Sequence, residues 1–160
     1  MAKRFETPTA VMPLILSTVN GQLCILLQER QNTGYADGMW DCAGSGHVEK
    51  GESLTEAVAR EMQEETGLAA HPEDIRFGTM NYKYDPSTKL TYVDAYFVVE
   101  CFIGEPRINE PEKIAKMAWY ALDALPLALI PDRKVAIENY LAGVPYAELG
   151  WEHIKMTPAR

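Results

Sequence analysis

Much of what would assign this chain quickly is missing from it. No stretch approaches the roughly 20 uninterrupted apolar residues of a membrane span, so no membrane association is expected. The opening MAKRFETPTA has a basic start but no apolar run behind it, so no secretory leader is read there. Cys24, Cys42 and Cys101 are odd in number and lack CxxC spacing, which argues against a disulfide framework or a zinc site and fits reduced thiols in a cytoplasmic setting. Nor is there a basic cluster. With 15 basic against 23 acidic residues the net charge is −8, and no surface is expected that could neutralise a nucleic-acid polymer. Internal repeats, low-complexity tracts and interdomain linkers are also absent. The 160 residues read as a single domain, 1–160, whose tail from 144 to 160 shows no clear period.

What is present is concentrated between Gly46 and Leu68, GHVEKGESLTEAVAREMQEETGL. Leu54 to Thr66 contains neither Gly nor Pro and is rich in helix formers. Ser53 is placed as N-cap with Glu56 three residues on to complete a capping box, and Gly67 as the left-handed stop. At 100° per residue, positions 54, 57, 58, 61, 64, 65 and 68 share a stripe about 120° wide. Its ends are Leu54, Ala57, Val58 and Leu68, but its middle is Glu61, Glu64 and Glu65; Ala59 and Met62 supply a second apolar flank, so the helix is expected to pack on one side of the acidic cluster. Like charges at this spacing repel, and partial burial raises their pKa values. A hard divalent cation relieves both, because Mg2+ takes oxygen ligands and bridges to phosphates. A merely solvated acidic face would not interrupt an apolar stripe.

Read as spacing, the segment is Gly46, five residues, Glu52, seven residues, then Arg60-Glu61-Met62-Gln63-Glu64-Glu65-Thr66-Gly67-Leu68. It resembles the box GX5EX7REUXEEXGU (U aliphatic) of the Nudix hydrolases at every specified position. The resemblance implies an α/β Nudix fold, an α/β/α sandwich on a mixed sheet with the box as loop–helix–loop. It implies a pyrophosphohydrolase that cleaves a nucleoside diphosphate derivative, a small-molecule nucleotide, with Mg2+ or Mn2+. Glu61, Glu64 and Glu65 match the metal-binding glutamates. Glu52 matches the supporting first glutamate and Arg60 the arginine that orients a glutamate. Glu61 is the first choice for general base and Glu64 the second. A homodimer is left open as the assembly.

Outside the box the resemblance is looser. Trp40-Asp41-Cys42-Ala43-Gly44-Ser45-Gly46 resembles the W-x-x-P-G-G entry of triphosphate-cleaving members, with Ala43 and Ser45 in place of Pro and Gly. Gly46 is expected to let backbone approach the metal or phosphate, and Tyr35 or Trp40 to stack a base, unless either is a packing aromatic. Trp119 to Pro126 followed by Ile130-Pro131-Asp132 resembles the closing segment of members that sanitise oxidised purine nucleotides. There an acid such as Asp132 reads a purine edge; an acid satisfying the helix dipole is the plainer alternative. Tyr84 falls where dinucleoside polyphosphate hydrolases carry a tyrosine, or is equally a strand residue on a half-buried face. The signature SQPWPFPxS of NADH pyrophosphatases is absent, as is the proline of ADP-ribose members. The acid that many relatives place before the late Trp is missing too, and Glu110 and Glu112 upstream are read first as solvated loop charges. A regulatory domain would not need the intact glutamates, and an isoprenoid diphosphate isomerase using Cys42 would have an altered box.

Elsewhere the pattern predicts strands at 9–18 and 22–29 around Asn20-Gly21, and a loop at 30–39. A strand at 40–48, a hairpin of 75–84 with 90–102, a short strand at 117–121 and a helix at 131–142 follow.

Overall fold

The computed structural model describes residues 2–155. The first hairpin forms as expected: β1 (Thr9–Val19) turns at Asn20-Gly21 into β2 (Gln22–Arg30). The predicted strand over 40–48 is two short pieces, β3 (Trp40–Cys42) and β4 (Gly46–His47). They pair with different strands, β3 with β2 and β4 with β1, so the chain crosses between them at Ala43-Gly44-Ser45. After helix α1 (Leu54–Thr66), β5 (Ile75–Asp85) and β6 (Leu90–Val99) make the second hairpin. β7 (Ile114–Ala121) starts three residues before the expected 117 because its ladder with β2 continues back to Ile114, past an irregularity at Glu29/Arg30. Helix α2 is Pro131–Leu141. The tail that showed no period adds β8 (Tyr146–Leu149), parallel to β5, and the short α3 (Glu152–Lys155). Residues of the tail beyond 155 lie outside the described residues.

Among the described residues eight strands form one mixed sheet in the order β3-β2-β1-β6-β5-β8, with β4 on β1 and β7 on β2. β1–β6 and β5–β8 are parallel and the other pairs antiparallel. Strand alternation in β1 feeds two cores at once. Ala10, Met12, Leu14 and Leu16 pack with Ile25, Leu27, Tyr96 and the α2 residues Ala136 and Ile137. Val11 and Ile15 pack with Leu26, Val99 and the α1 residues Ala57, Val58 and Met62. The result is the expected α/β/α sandwich.

One detail of register opens the site. The β1–β2 ladder ends at Leu16↔Ile25; beyond it β1 takes β4 as partner at Ala10 and Val11, and β2 takes β3. Pro13, with no N–H to give a ladder, lies in the stretch of β1 between its two partners on that side. The two strands therefore part, and a cavity of about 790 Å3 fills the wedge between them.

Candidate active site

The wedge is floored by Ala10, Met12 and Gln28, and one wall is α1. That helix begins as its sequence demands. Ser53 accepts from the Glu56 backbone N–H at 3.2 Å while the Glu56 carboxylate accepts from the Ser53 N–H at 2.7 Å, and Gly67 closes the helix at φ 74°. Its packed face is turned from the first stripe toward the second apolar flank expected at Ala59 and Met62. Ala57, Val58, Met62 and Thr66 are buried, whereas Leu54 is 38% exposed. Met62 rather than Leu54 fills the contact with the sheet, a burial worth roughly 1.5–3 kcal/mol. The glutamates consequently border the core face and do not sit at its centre, and they grade outward from it. Glu65 is the most buried, Glu61 is 14% exposed at its side chain, and Glu64 is 56% exposed.

Each acid is held by named partners. Gln28 donates to Glu65 at 2.8 Å and accepts the Gly44 N–H at 3.3 Å, tying α1 to β2 and to the β3–β4 crossing. Arg60 is the hub of the remainder. Its Nε and Nη2 donate to the two Glu52 oxygens at 2.5 and 3.0 Å, its Nη1 to Glu61 at 2.8 Å and to Glu64 at 3.3 Å, and its Nη2 also to the His47 carbonyl at 3.0 Å. A planar fork can serve so many oxygens at once; a lysine cannot. Gly46 has a different purpose from the one expected of it. Its φ is not positive, but a Cβ there would collide with the Glu61 carboxylate, so the bare Cα makes the seat for that side chain.

The electrostatics divide the group. Arg60's hydrogen bonds hold the Glu52 carboxyl down at about 2. Burial pushes Glu65 up to about 7, with Glu61 and Glu110 adding to the shift against the opposing Gln28 bond. Burial also raises Glu61, against the pull of Arg60. Glu110 thus belongs to the site, whereas Glu112 is not among the cavity-lining residues. The loop that carries Glu110 is pinned on the free carbonyls at the end of α1: Arg107 N–H donates to Thr66 O at 2.9 Å and Asn109 N–H to Glu65 O at 3.2 Å.

A divalent cation fits this wall by chemistry. The donors are hard carboxylate oxygens, two of them raised by burial and mutual repulsion, which a nearby cation relieves. Among the described residues no three such side chains already stand together as a cage. Arg60 supplies the positive charge between Glu61 and Glu64.

The expected substrate residues fare unevenly. Trp40 is buried and meets Tyr120 edge-on at 4.9 Å, in the core with Leu27 and Ile137; the base-stacking reading is withdrawn for it. Tyr84 is corrected too. Lys83 and Asp85 line the cavity, so strand alternation sends Tyr84 to the other face, where it lies against Trp151. Tyr35 does line the cavity, with Arg30 over its ring at 5.2 Å. Asp132 opens α2, as the dipole reading holds, and reaches the cavity only through Lys83 at 3.2 Å. Cys42 is fully buried and burial raises its thiol far above the ordinary range, so it offers no thiolate for an isomerase.

A second cluster escaped motif reading altogether. Arg133 of α2 donates to Asp41 at 2.7 Å and to Asp94 at 3.3 Å; Asp41 also takes Arg30 at 3.0 Å, and Asp94 takes Lys83 at 2.8 Å. Burial works to raise the Asp41 carboxyl, and Arg133 with Arg30 outweighs it, holding Asp41 below the ordinary range. The available signal was a charge inside an apolar strand, as Asp94 is in LTYVDAYFVV, since such residues stay buried only when paired.

Among the described residues no helix is long and apolar enough to cross a membrane. The profile of the NUDIX domain matches residues 7–140. Among curated proteins, the NAD-capped RNA hydrolase NudC of Stutzerimonas stutzeri (strain A1501) is 30% identical over 132 residues, 81% of this chain and 43% of that protein. The chain thus spans less than half the length of that relative. Among solved structures, a MutT NUDIX hydrolase from Burkholderia pseudomallei superposes with TM-score 0.73 at 28% identity, covering 84% of this chain and 98% of its own. A NUDIX hydrolase from Nitrosomonas europaea shares the fold with TM-score 0.70 at 24% identity, over 88% and 93% of the two chains. A box matched at every fixed position, a sheet parted beside it and a profile that runs through both make this chain a member of the NUDIX domain family.

Proposed function

We propose that this chain hydrolyses a phosphoanhydride bond in a nucleoside diphosphate derivative. The substrate is a nucleoside triphosphate or an oxidised form of one, and the products are the monophosphate and pyrophosphate. The carrying observation is the acid wall, with Glu61, Glu64, Glu65 and Glu110 on one side of a cavity sized for a nucleotide. Glu61, Glu64 and Glu65 would hold Mg2+ or Mn2+, with Glu110 as the nearby fourth acid. A bound divalent ion there supplies polarisation of phosphoryl oxygens and a more acidic water.

The chain's own residues do the remainder. Arg60 fixes Glu61 in orientation and draws Glu52 into the same array. Gln28 sets Glu65 in place. Glu61, raised by burial and seated over Gly46, is suited to take a proton from the attacking water, and Glu64 is the second candidate. The free cysteines support a reducing, cytoplasmic setting.

A second reading has its own support. Relatives named NAD-capped RNA hydrolases favour a dinucleotide pyrophosphate, NAD itself or an NAD-capped RNA end. Dinucleoside polyphosphates lose their motive with Tyr84 packed on Trp151. Product release from nucleoside triphosphates, their oxidised forms, NAD, NAD-capped oligonucleotides and dinucleoside polyphosphates, with Mg2+ or Mn2+, decides among these. Turnover of triphosphates above the others is expected. Turnover of NAD or capped RNA alone replaces the first reading with the second, and no turnover of any of them ends both.

A further inference from the structure

The cavity does not end at the acid wall. It extends to the β5–β6 hairpin, where Lys83, Tyr92 and Asp94 line it. Lys83 Nζ lies 2.8 Å from Asp94 and 3.2 Å from Asp132, and 5.5 Å from the Tyr92 ring centroid. Among the described residues those two carboxylates are its only ion-pair partners, which leaves one of its three N–H groups without a protein acceptor. The side chain is 14% exposed, and the residue lines the cavity. The charges acting most on Lys83 are Asp94, Arg133 and Asp132, and none of the α1 glutamates is among them.

The chemistry of Lys83 selects a ligand atom. Two carboxylates already balance the ammonium, so a phosphate brought to Lys83 would meet their negative charge. A neutral carbonyl oxygen takes the spare N–H without that cost. An exocyclic amino group presents donor to donor and is rejected. Tyr92, held against the ammonium, offers an apolar face for a flat ring. Asp94 is in turn fixed by Arg133, which is buried and tied to Asp41, so the donor is held rigidly.

We propose that Lys83, positioned by Asp94 and Asp132 beside Tyr92, reads a keto oxygen on the nucleobase edge and makes this site selective for keto-base nucleotides over their amino counterparts. The proposal deepens the nucleotide reading above and rests on it for the ligand class, but its test does not need turnover. Dissociation constants are measured by calorimetry for IMP against AMP and for UMP against CMP. Each pair exchanges keto for amino on the base edge. A keto preference of about tenfold or more in at least one pair is expected, the scale of a hydrogen bond to a charged group. Lys83→Met should bring that ratio to near one. If Lys83→Met does not fold, Lys83→Arg keeps the pairing with Asp94 while moving the donors, and the ratio should fall there too. Equal affinities within both pairs, or a ratio unchanged in the folded variant, overturn the assignment. Failure of the hydrolase reading looks different, as wild-type protein that releases nothing from the corresponding triphosphates while the binding ratio still reports on Lys83.

Discussion

The two charged walls of the cavity are built on opposite plans. On α1 a single arginine faces Glu49, Glu52, Glu61 and Glu64, with Glu65 held by an amide and Glu110 close by. Across the wedge the charges alternate and cancel: Arg30, Asp41, Arg133, Asp94, Lys83 and Asp132 form three cations and three carboxylates in one chain of contacts. The first wall is out of balance and part-exposed, and so is open to a ligand of opposite charge. The second is balanced and mostly buried, which suits holding side chains still. Imbalance marks where charge is to be received, and balance marks where geometry is to be kept.

Substitutions separate the two plans most sharply at their centres. Glu61→Gln and Glu64→Gln remove charge from the unbalanced wall without changing shape. Each is expected to lower turnover by about 10^2- to 10^4-fold, with a thermal midpoint close to that of the parent. Initial rates and thermal melts on the same preparations check both halves, and parental rates in either variant sink the role assigned to the acid wall. Arg133→Met is the counterpart. It leaves buried Asp41 with Arg30 and buried Asp94 with Lys83 as their remaining cations, and removing one partner from a buried ion-pair network costs up to about 3–5 kcal/mol. Urea denaturation should show that loss. Unchanged stability would mean that the second wall does not act as a brace.

The walls also differ in how far the sequence disclosed them. The first lies within 23 residues, and helical periodicity converts spacing along the chain into neighbourhood in space, so Glu52, Arg60, Glu61, Glu64 and Glu65 were all readable. Their grading was not. Periodicity offers both the Leu54 stripe and the Met62 flank for packing, but how deeply each glutamate is buried depends on Met62 outcompeting Leu54, a matter of tertiary packing. The second wall draws on β2, β3, β5, β6 and α2, and no local period links Asp41 to Arg133, 92 residues apart. For Trp40 and Tyr84 the packing alternative holds over substrate contact, and spacing alone does not choose between them: an aromatic's face is decided by strand register, and a tyrosine one place from Lys83 points away from the site. In contrast, the two hairpins, α1 with its caps, and α2 followed from turn chemistry and periodicity alone.

Intermediate effects test the fit within the acid wall. In Gly46→Ala the new methyl takes the space of the Glu61 carboxylate and must push it off Arg60. A misplacement of that order costs on the order of a hundredfold in rate, so kcat should fall well beyond any change in melting temperature. Glu110→Gln against Glu112→Gln asks whether the loop acid contributes by position or by charge alone. Glu110 lines the cavity and Glu112 does not, so an effect of about tenfold is expected at Glu110 and none at Glu112. Equal effects in the steady-state assay would reduce Glu110 to a general contribution to the field.

The smallest effect calibrates the others. Ser53 adjoins Glu52 in the chain yet touches neither wall; its hydroxyl accepts the Glu56 N–H at 3.2 Å, and its own N–H is taken by the Glu56 carboxylate. Ser53→Ala deletes one of those two bonds and should cost about 1 kcal/mol, the usual worth of an N-cap. Rates should hold near the parental value, because Arg60 anchors Glu52 through two bonds that do not involve the cap. A melting shift with intact turnover places the start of α1 on the side of scaffold. A loss of rate out of proportion to that small destabilisation would mean instead that fraying at Ser53 propagates through Glu52 to Arg60. The unbalanced wall would then depend on its helix cap as the balanced wall depends on Arg133.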